Sequence, residues 1–109
     1  MAEPTLAAVF GANATQDANT LTISKADLTG LTASANNTAE SLLVAIILQA
    51  KLSLNATNFD SNIDQSIVVD TGYTSFITRG TDNTGYRTDQ LTVSLSKVDT
   101  NSTINPDNY

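Results

Sequence analysis

The 109-residue chain has no cysteine, no histidine and no tryptophan, and only two prolines. Without cysteine, disulfides and thiol chemistry are excluded. Without histidine as well, the usual zinc and copper ligands and the common nucleophile–base pairs are missing, so neither a metal centre nor a cofactor is expected. Positive charge is also scarce. Five basic residues stand against eleven acidic ones, a formal net charge of −6, which disfavours nucleic-acid binding. All charged residues together make up 15%, below the soluble average of about 25%. Such a weakly charged surface suits packing against copies of itself or against other proteins. The one long apolar run, Leu42 to Leu48, is too short for a membrane span, which takes about 20 apolar residues. Met1-Ala2-Glu3-Pro4 carries no basic leader and Leu6–Phe10 is too short for a signal-peptide core, so synthesis and use, or assembly, in a cytoplasm is the expectation.

What the chain has in abundance is threonine, serine and asparagine, 38 of 109 residues, a composition suited to exposed strands and turns. The length fits one domain, of a size that oligomerisation helps to stabilise.

The stretch Asn37–Leu54, NTAESLLVAIILQAKLSL, organises the rest and reads as a helix. Asn37 is the expected N-cap, with Glu40 three residues on as its capping-box partner. Glu40 in the first turn and Lys51 in a late turn suit the helix dipole. Ala45, Gln49, Ala50 and Lys51 favour helix, and a buried strand through Leu42–Leu48 is the rival reading. Advancing about 100° per residue, Leu42, Leu43, Ile46, Ile47, Ala50 and Leu54 share one broad face. Val44, Leu48 and Leu52 lie on another, and Gln49 lies opposite the narrow stripe of Glu40 and Lys51. A surface helix of one domain normally shows a single apolar stripe. Two apolar faces need two covers: one is the chain's own sheet, the other either its remaining loops or another subunit.

Residues 1–19 read as an arm in which Leu6, Val9 and Phe10 form a short helical turn after Pro4 or anchor an extended segment. The arm either lies over its own domain or docks on a neighbour. Gly11 ends the turn, and Asn13–Asn19 is a polar loop. Residues 20–24, TLTIS, alternate as a first strand with Leu21 and Ile23 inward. Ser24–Asp27 starts a helical turn that ends near Gly30. After the main helix, NATNFDSNID reads as a loop anchored by Phe59. Residues 66–79 and 86–98 form a long hairpin around the turn GTDNTG, 80–85, with Gly72 marking a bulge or a bend. Leu91, Val93 and Leu95 point inward and Thr92, Ser94 and Ser96 outward. Lys97 is the residue expected to blunt the open edge of the last strand. The order arm–β–α–β–β–tail predicts an α+β fold: one central helix packed on a small antiparallel sheet (β-α-β-β). An extended N-terminal arm (1–19), an α+β domain (20–98) and a C-terminal tail (99–109) follow from it.

Candidate chemistry is thin. Asp60-Ser61-Asn62-Ile63-Asp64 opens like a calcium loop, but Gln65 stands where glycine belongs and Thr71 where the closing glutamate belongs. The glycosylation patterns at Asn13, Asn36, Asn55 and Asn101 are compositional accidents. Asp70 beside Tyr73, or Asp82 with Asp89, offers a carboxylate pair only if two acids face each other across a cleft. Exposed turn acids are far commoner, and no enzyme is expected. Arg79 and Arg87 flank the turn and are placed to pair with Asp82 or Asp89, or to fix register at an intersubunit contact.

The opening MAEPTLAAVFG, the segment TLTISKADLTGL, the Thr/Asn-rich strands and the NPDNY ending together resemble small virion structural proteins of tailed bacteriophages, such as capsid cement (decoration) proteins or tail and baseplate components. The resemblance implies a non-enzymatic virion subunit, assembled in the host cytoplasm, that forms a homo-oligomer and binds a major structural protein. It implies no partnership with nucleic acid or membrane. The residues expected at such interfaces are Leu6, Val9, Phe10, Val44, Leu48, Leu52, Arg79, Arg87 and Tyr109. The competing reading is a monomeric binding module that uses the 80–85 turn and whose helix is covered by its own chain.

Overall fold

The computed structural model describes residues 2–99 and 103–109; the Asn101 sequence pattern and part of the expected tail lie outside them. The fold is α+β, with one main helix and two separate two-stranded antiparallel sheets. No helix among the described residues is long and apolar enough to cross a membrane.

The chain opens with a short helix, α1 (Leu6–Phe10), capped by Thr5, whose hydroxyl accepts from the Ala8 amide at 3.1 Å. Within the chain, residues 2–10 lie on their own domain. Val9 packs against the cluster of Ala50, Leu54 and Val69. The Ser53 hydroxyl donates to the Ala8 carbonyl at 2.8 Å, and Asn62 Nδ2 donates to the Ala2 carbonyl at 2.8 Å. Leu6 and Phe10 are half-buried. Gly11 ends the helix at φ +113°, and a Cβ there would stand 2.6 Å from the Asp27 Cβ. Both facts demand glycine. The approach lets the Asp27 carboxylate accept from the Asn13 backbone N–H at 2.8 Å and from Asn13 Nδ2 at 3.1 Å.

The expected first strand is cut down to β2 (Leu21–Thr22), which pairs with β1 (Thr15–Gln16) inside the supposed polar loop and not with the long hairpin. The cause is local. Asp17 Oδ1 accepts from the amides of Asn19 and Thr20, each at 2.8 Å, folding residues 17–20 into a tight turn that brings the flanking residues together. Leu21, expected inward, is consequently exposed. The helical turn expected after Ser24 is present as a 3-10 helix over Lys25–Asp27.

The main helix, α2, runs Ala39–Ser53. Its N-cap is Thr38 and not Asn37: Thr38 Oγ1 accepts from the Ser41 amide at 3.1 Å. The Asn37 side chain is engaged upstream, accepting from the Ser34 amide at 2.9 Å and donating to the Thr32 carbonyl at 3.0 Å. The Asn/Asp-rich segment that follows is helix and not loop. α3 (Ala56–Ser61) is capped by Asn55, which accepts from the Asn58 amide at 2.8 Å. Asn55 and Asn58 also donate to the Leu52 and Ser53 carbonyls, satisfying acceptors that the end of α2 leaves open. Phe59 is half-buried, as an anchor should be. Gln65 is the one buried polar residue among the described residues; its Nε2 donates to the carbonyls of Asn55 at 3.2 Å and Ile67 at 2.8 Å.

β3 (Ile67–Arg79) and β4 (Thr84–Leu95) form the long hairpin. The register shifts between Thr71 and Thr74, leaving Gly72 and Tyr73 opposite Gln90. This is the bulge expected at Gly72, where a Cβ would press on Gln90 and Thr92 at 3.0–3.3 Å. Among the described residues, the hairpin packs on the rest of the chain at its root. There Val69 is buried, its amide donating to the Leu54 carbonyl at 2.8 Å. The inward row is only partly covered: Leu91 is half-buried, whereas Val93 and Leu95 are exposed. Lys97 falls beyond the end of β4, so it does not guard that strand; its Nζ lies 5.3 Å from the centre of the Tyr109 ring. Tyr109 follows a 3-10 turn at Pro106–Asn108 and is half-buried.

Candidate interaction surface

The core is small. Its buried apolar members among the described residues are Leu28, Ala45, Ala50, Leu54 and Val69. α2 and its C-cap set Ala50 and Leu54 against Val69, with Ile47 half-buried against the cluster, while Ala45 is buried on the opposite side of the helix. Leu43, expected on the covered side with Ala50 and Leu54, is exposed: it projects between these two but lies about two turns nearer the N-terminus than Ala50. On the other side, Val44, Leu48 and Leu52 are 53%, 41% and 60% exposed. They recur every four residues, so they form one stripe along the helix.

The segment after the 3-10 turn forms a wall beside this stripe. Gln49 Oε1 accepts from the Thr29 amide at 3.2 Å and from its hydroxyl at 3.0 Å, which fixes residues 29–31 against α2. The result is an open groove of about 310 Å³ lined by Thr29, Leu31, Glu40, Val44, Ala45 and Leu48. Leu31 and the wall are absent from any periodic pattern, so the sequence offers no signal for them.

The second exposed feature is the distal hairpin. From Asp70 to Arg79 every residue of β3 is exposed. Phe76 is 78% exposed, and Ile77 and Tyr86, directly opposite one another, are about half exposed. Arg79 and Arg87 take different partners. Arg79 lies over the Tyr86 ring, 5.1 Å from its centre. Arg87 Nε donates to Asp89 Oδ1 at 2.9 Å, and Thr74 Oγ1 donates to the same oxygen at 3.2 Å. The Arg87–Asp89 pair is well exposed and contributes roughly 0–1 kcal/mol at most. A two-stranded hairpin without cover is marginal in water.

Two of the expected carboxylates, Asp70 and Asp89, are engaged by near neighbours. Asp89 is held by Arg87 and Thr74, and Asp70 Oδ1 accepts from the Thr71 amide. The groove over α2 and the cavity beside α3 hold one carboxylate each, Glu40 and Asp60, and the cavity under α1 holds none. Asp60 lies in α3, and Asn62 Oδ1 accepts from the Asp64 amide. No group of three or more acidic side chains gathers for a cation among the described residues. The Asp17 carboxyl is held below 3.8 by hydrogen bonds from the Asn19 amide first, then the Thr20 amide and hydroxyl.

The surface area gives the scale of what is bare. The chain exposes 8143 Å², against about 5,800 Å² for a compact monomer of its mass. Its radius of gyration is 16.6 Å, against about 13 Å for a compact domain of this length. In comparisons with known proteins, the chain matches no family model, no curated protein and no solved structure.

Proposed function

We propose that the protein is a non-enzymatic structural subunit of a phage virion, a capsid cement (decoration) protein that self-associates and binds a major structural protein. The observation that carries the reading is the area excess, about 2,300 Å² more than a compact monomer exposes, together with the exposed apolar residues of the Val44–Leu48–Leu52 stripe and the distal hairpin. That area is on the scale of an obligate interface. The phage attribution rests on the resemblance of the sequence, and a tail or baseplate component would use the same surfaces. A monomeric binding module fits less well, because it requires the helix to be covered by its own chain. Of the expected contacts, Val9 serves the protein's own core. The reading therefore shifts weight from the arm to the helix stripe and the hairpin. Light scattering after size exclusion, over a wide concentration range, tests it. A discrete oligomer is the expected result; a strict 11.5 kDa monomer at every concentration refutes self-association.

A further inference from the structure

The two bare surfaces complement each other. One is the α2 groove, with Glu40 at its N-terminal end and Val44 and Leu48 following. The other is the hairpin face on which Arg79, nearest the tip, precedes the Ile77–Tyr86 pair. Along the helix, positions four apart repeat at about 6 Å; along the strand, positions two apart repeat at about 6.8 Å. Setting Arg79 at the level of Glu40 therefore sets the Ile77–Tyr86 pair at the level of Val44, with Ser75 and Thr88 following at the level of Leu48.

We propose that the distal hairpin of one copy docks in the α2 groove of a second copy, Arg79 against the partner's Glu40 and the Ile77–Tyr86 pair against the partner's Val44, with the partner's Leu48 bordering the contact. This rests on the self-associating reading above. Three observations select a second copy as the occupant. Arg79 sits on the hairpin face beside the Ile77–Tyr86 pair, and the groove offers a carboxylate. Each chain carries one tongue and one groove, so one kind of contact covers both, whereas a foreign partner in either would leave the other bare. The excess area, about 2,300 Å², also matches a whole obligate interface, which is what each copy buries when its tongue and its groove are both filled. Since the two surfaces differ, the contact is head-to-tail and builds a closed ring or a filament according to its rotation.

Sedimentation velocity of the full chain tests the inference. Glu40 and Arg79 are exposed, so Glu40→Arg and Arg79→Glu leave the fold intact, as circular dichroism verifies. Each reversal is expected to weaken association roughly tenfold or more, and the double variant to restore it. Leu48→Glu and Ile77→Asp, each defective alone, are expected to form a 1:1 complex when mixed, because the mixture keeps one intact tongue and one intact groove. If the wild type assembles while the reversals change nothing, or while the mixed variants stay apart, the tongue-in-groove contact is wrong and self-association stands. A wild type that stays monomeric overturns both.

Discussion

Leu52 and Leu54 lie two residues apart and should answer truncation to alanine in opposite ways. Leu54 is 6% exposed and packs with Ala50 and Val69. Its truncation removes buried methyl groups and leaves a cavity, at a cost of about 2–5 kcal/mol. Leu52 is 60% exposed, so the monomer recovers only about two-fifths of a transfer energy near 2 kcal/mol, and its truncation costs under about 1 kcal/mol. Alanine's better helix propensity offsets part of even that. The remaining three-fifths of the side chain is what a neighbouring copy removes from water. Its loss should weaken association by about 1 kcal/mol, roughly fivefold. Urea unfolding at dilute, monomeric concentration measures the first quantity, and light scattering over a concentration series the second. Leu54→Ala is expected to lower the unfolding midpoint sharply. Leu52→Ala is expected to leave the midpoint nearly unchanged and to shift the association curve. Equal loss of monomer stability in both variants would refute the exposed-stripe description of α2.

Other outcomes follow from single contacts. Gly11→Ala forces a side chain onto the Asp27 Cβ at a positive φ, and should cost more than about 1 kcal/mol in chemical denaturation. Gln65→Glu turns a buried donor into a carboxylate facing the Asn55 and Ile67 carbonyls. A loss of about 3–5 kcal/mol is expected near neutral pH, easing on acidification as the carboxyl protonates and donates; pH-dependent urea midpoints check both parts. Asp17 is stabilised as a carboxylate by Asn19 and Thr20, so its contribution to the β1–β2 turn is present above pH 3.8 and is lost as pH falls through its lower folded pKa. Carbon-detected NMR should show Asp17 titrating below 3.8 with the Asn19 and Thr20 amides moving in the same window; titration at or above the ordinary value would remove this account.

The α+β character and the main helix were legible because Leu42–Leu48 sits between cap-competent residues and strong helix formers. The exposed stripe was legible because the apolar sector of that helix is wider than one cover can bury. The cap was misplaced by one residue: Asn37 and Thr38 are both competent, and only the 32–34 loop, which engages the Asn37 side chain, decides between them. TLTIS shows its alternation but not its partner, since a period of two says nothing about pairing. The Asp17 turn makes the local partner the near one. α3 was hidden because its capping asparagines look like ordinary loop residues in so asparagine-rich a chain. The groove wall was invisible for a different reason, since the Thr29–Gln49 contact joins residues twenty positions apart.

The bulge at Gly72–Tyr73 makes the bend of the hairpin separable from the side chains it presents. β4 continues without interruption, so the extra residue shifts the alternation of β3 alone: odd positions share one side up to Thr71, even positions share that side from Thr74 onward. An in-frame loss of one codon there would leave the ladder from Ile67 to Thr71 in place. It would set the remaining residue opposite Gln90 and keep Ile77 opposite Tyr86, with Arg79 still over that ring. A lineage carrying this fold can thus re-aim the outer half of the hairpin by one residue while the face it presents stays the same.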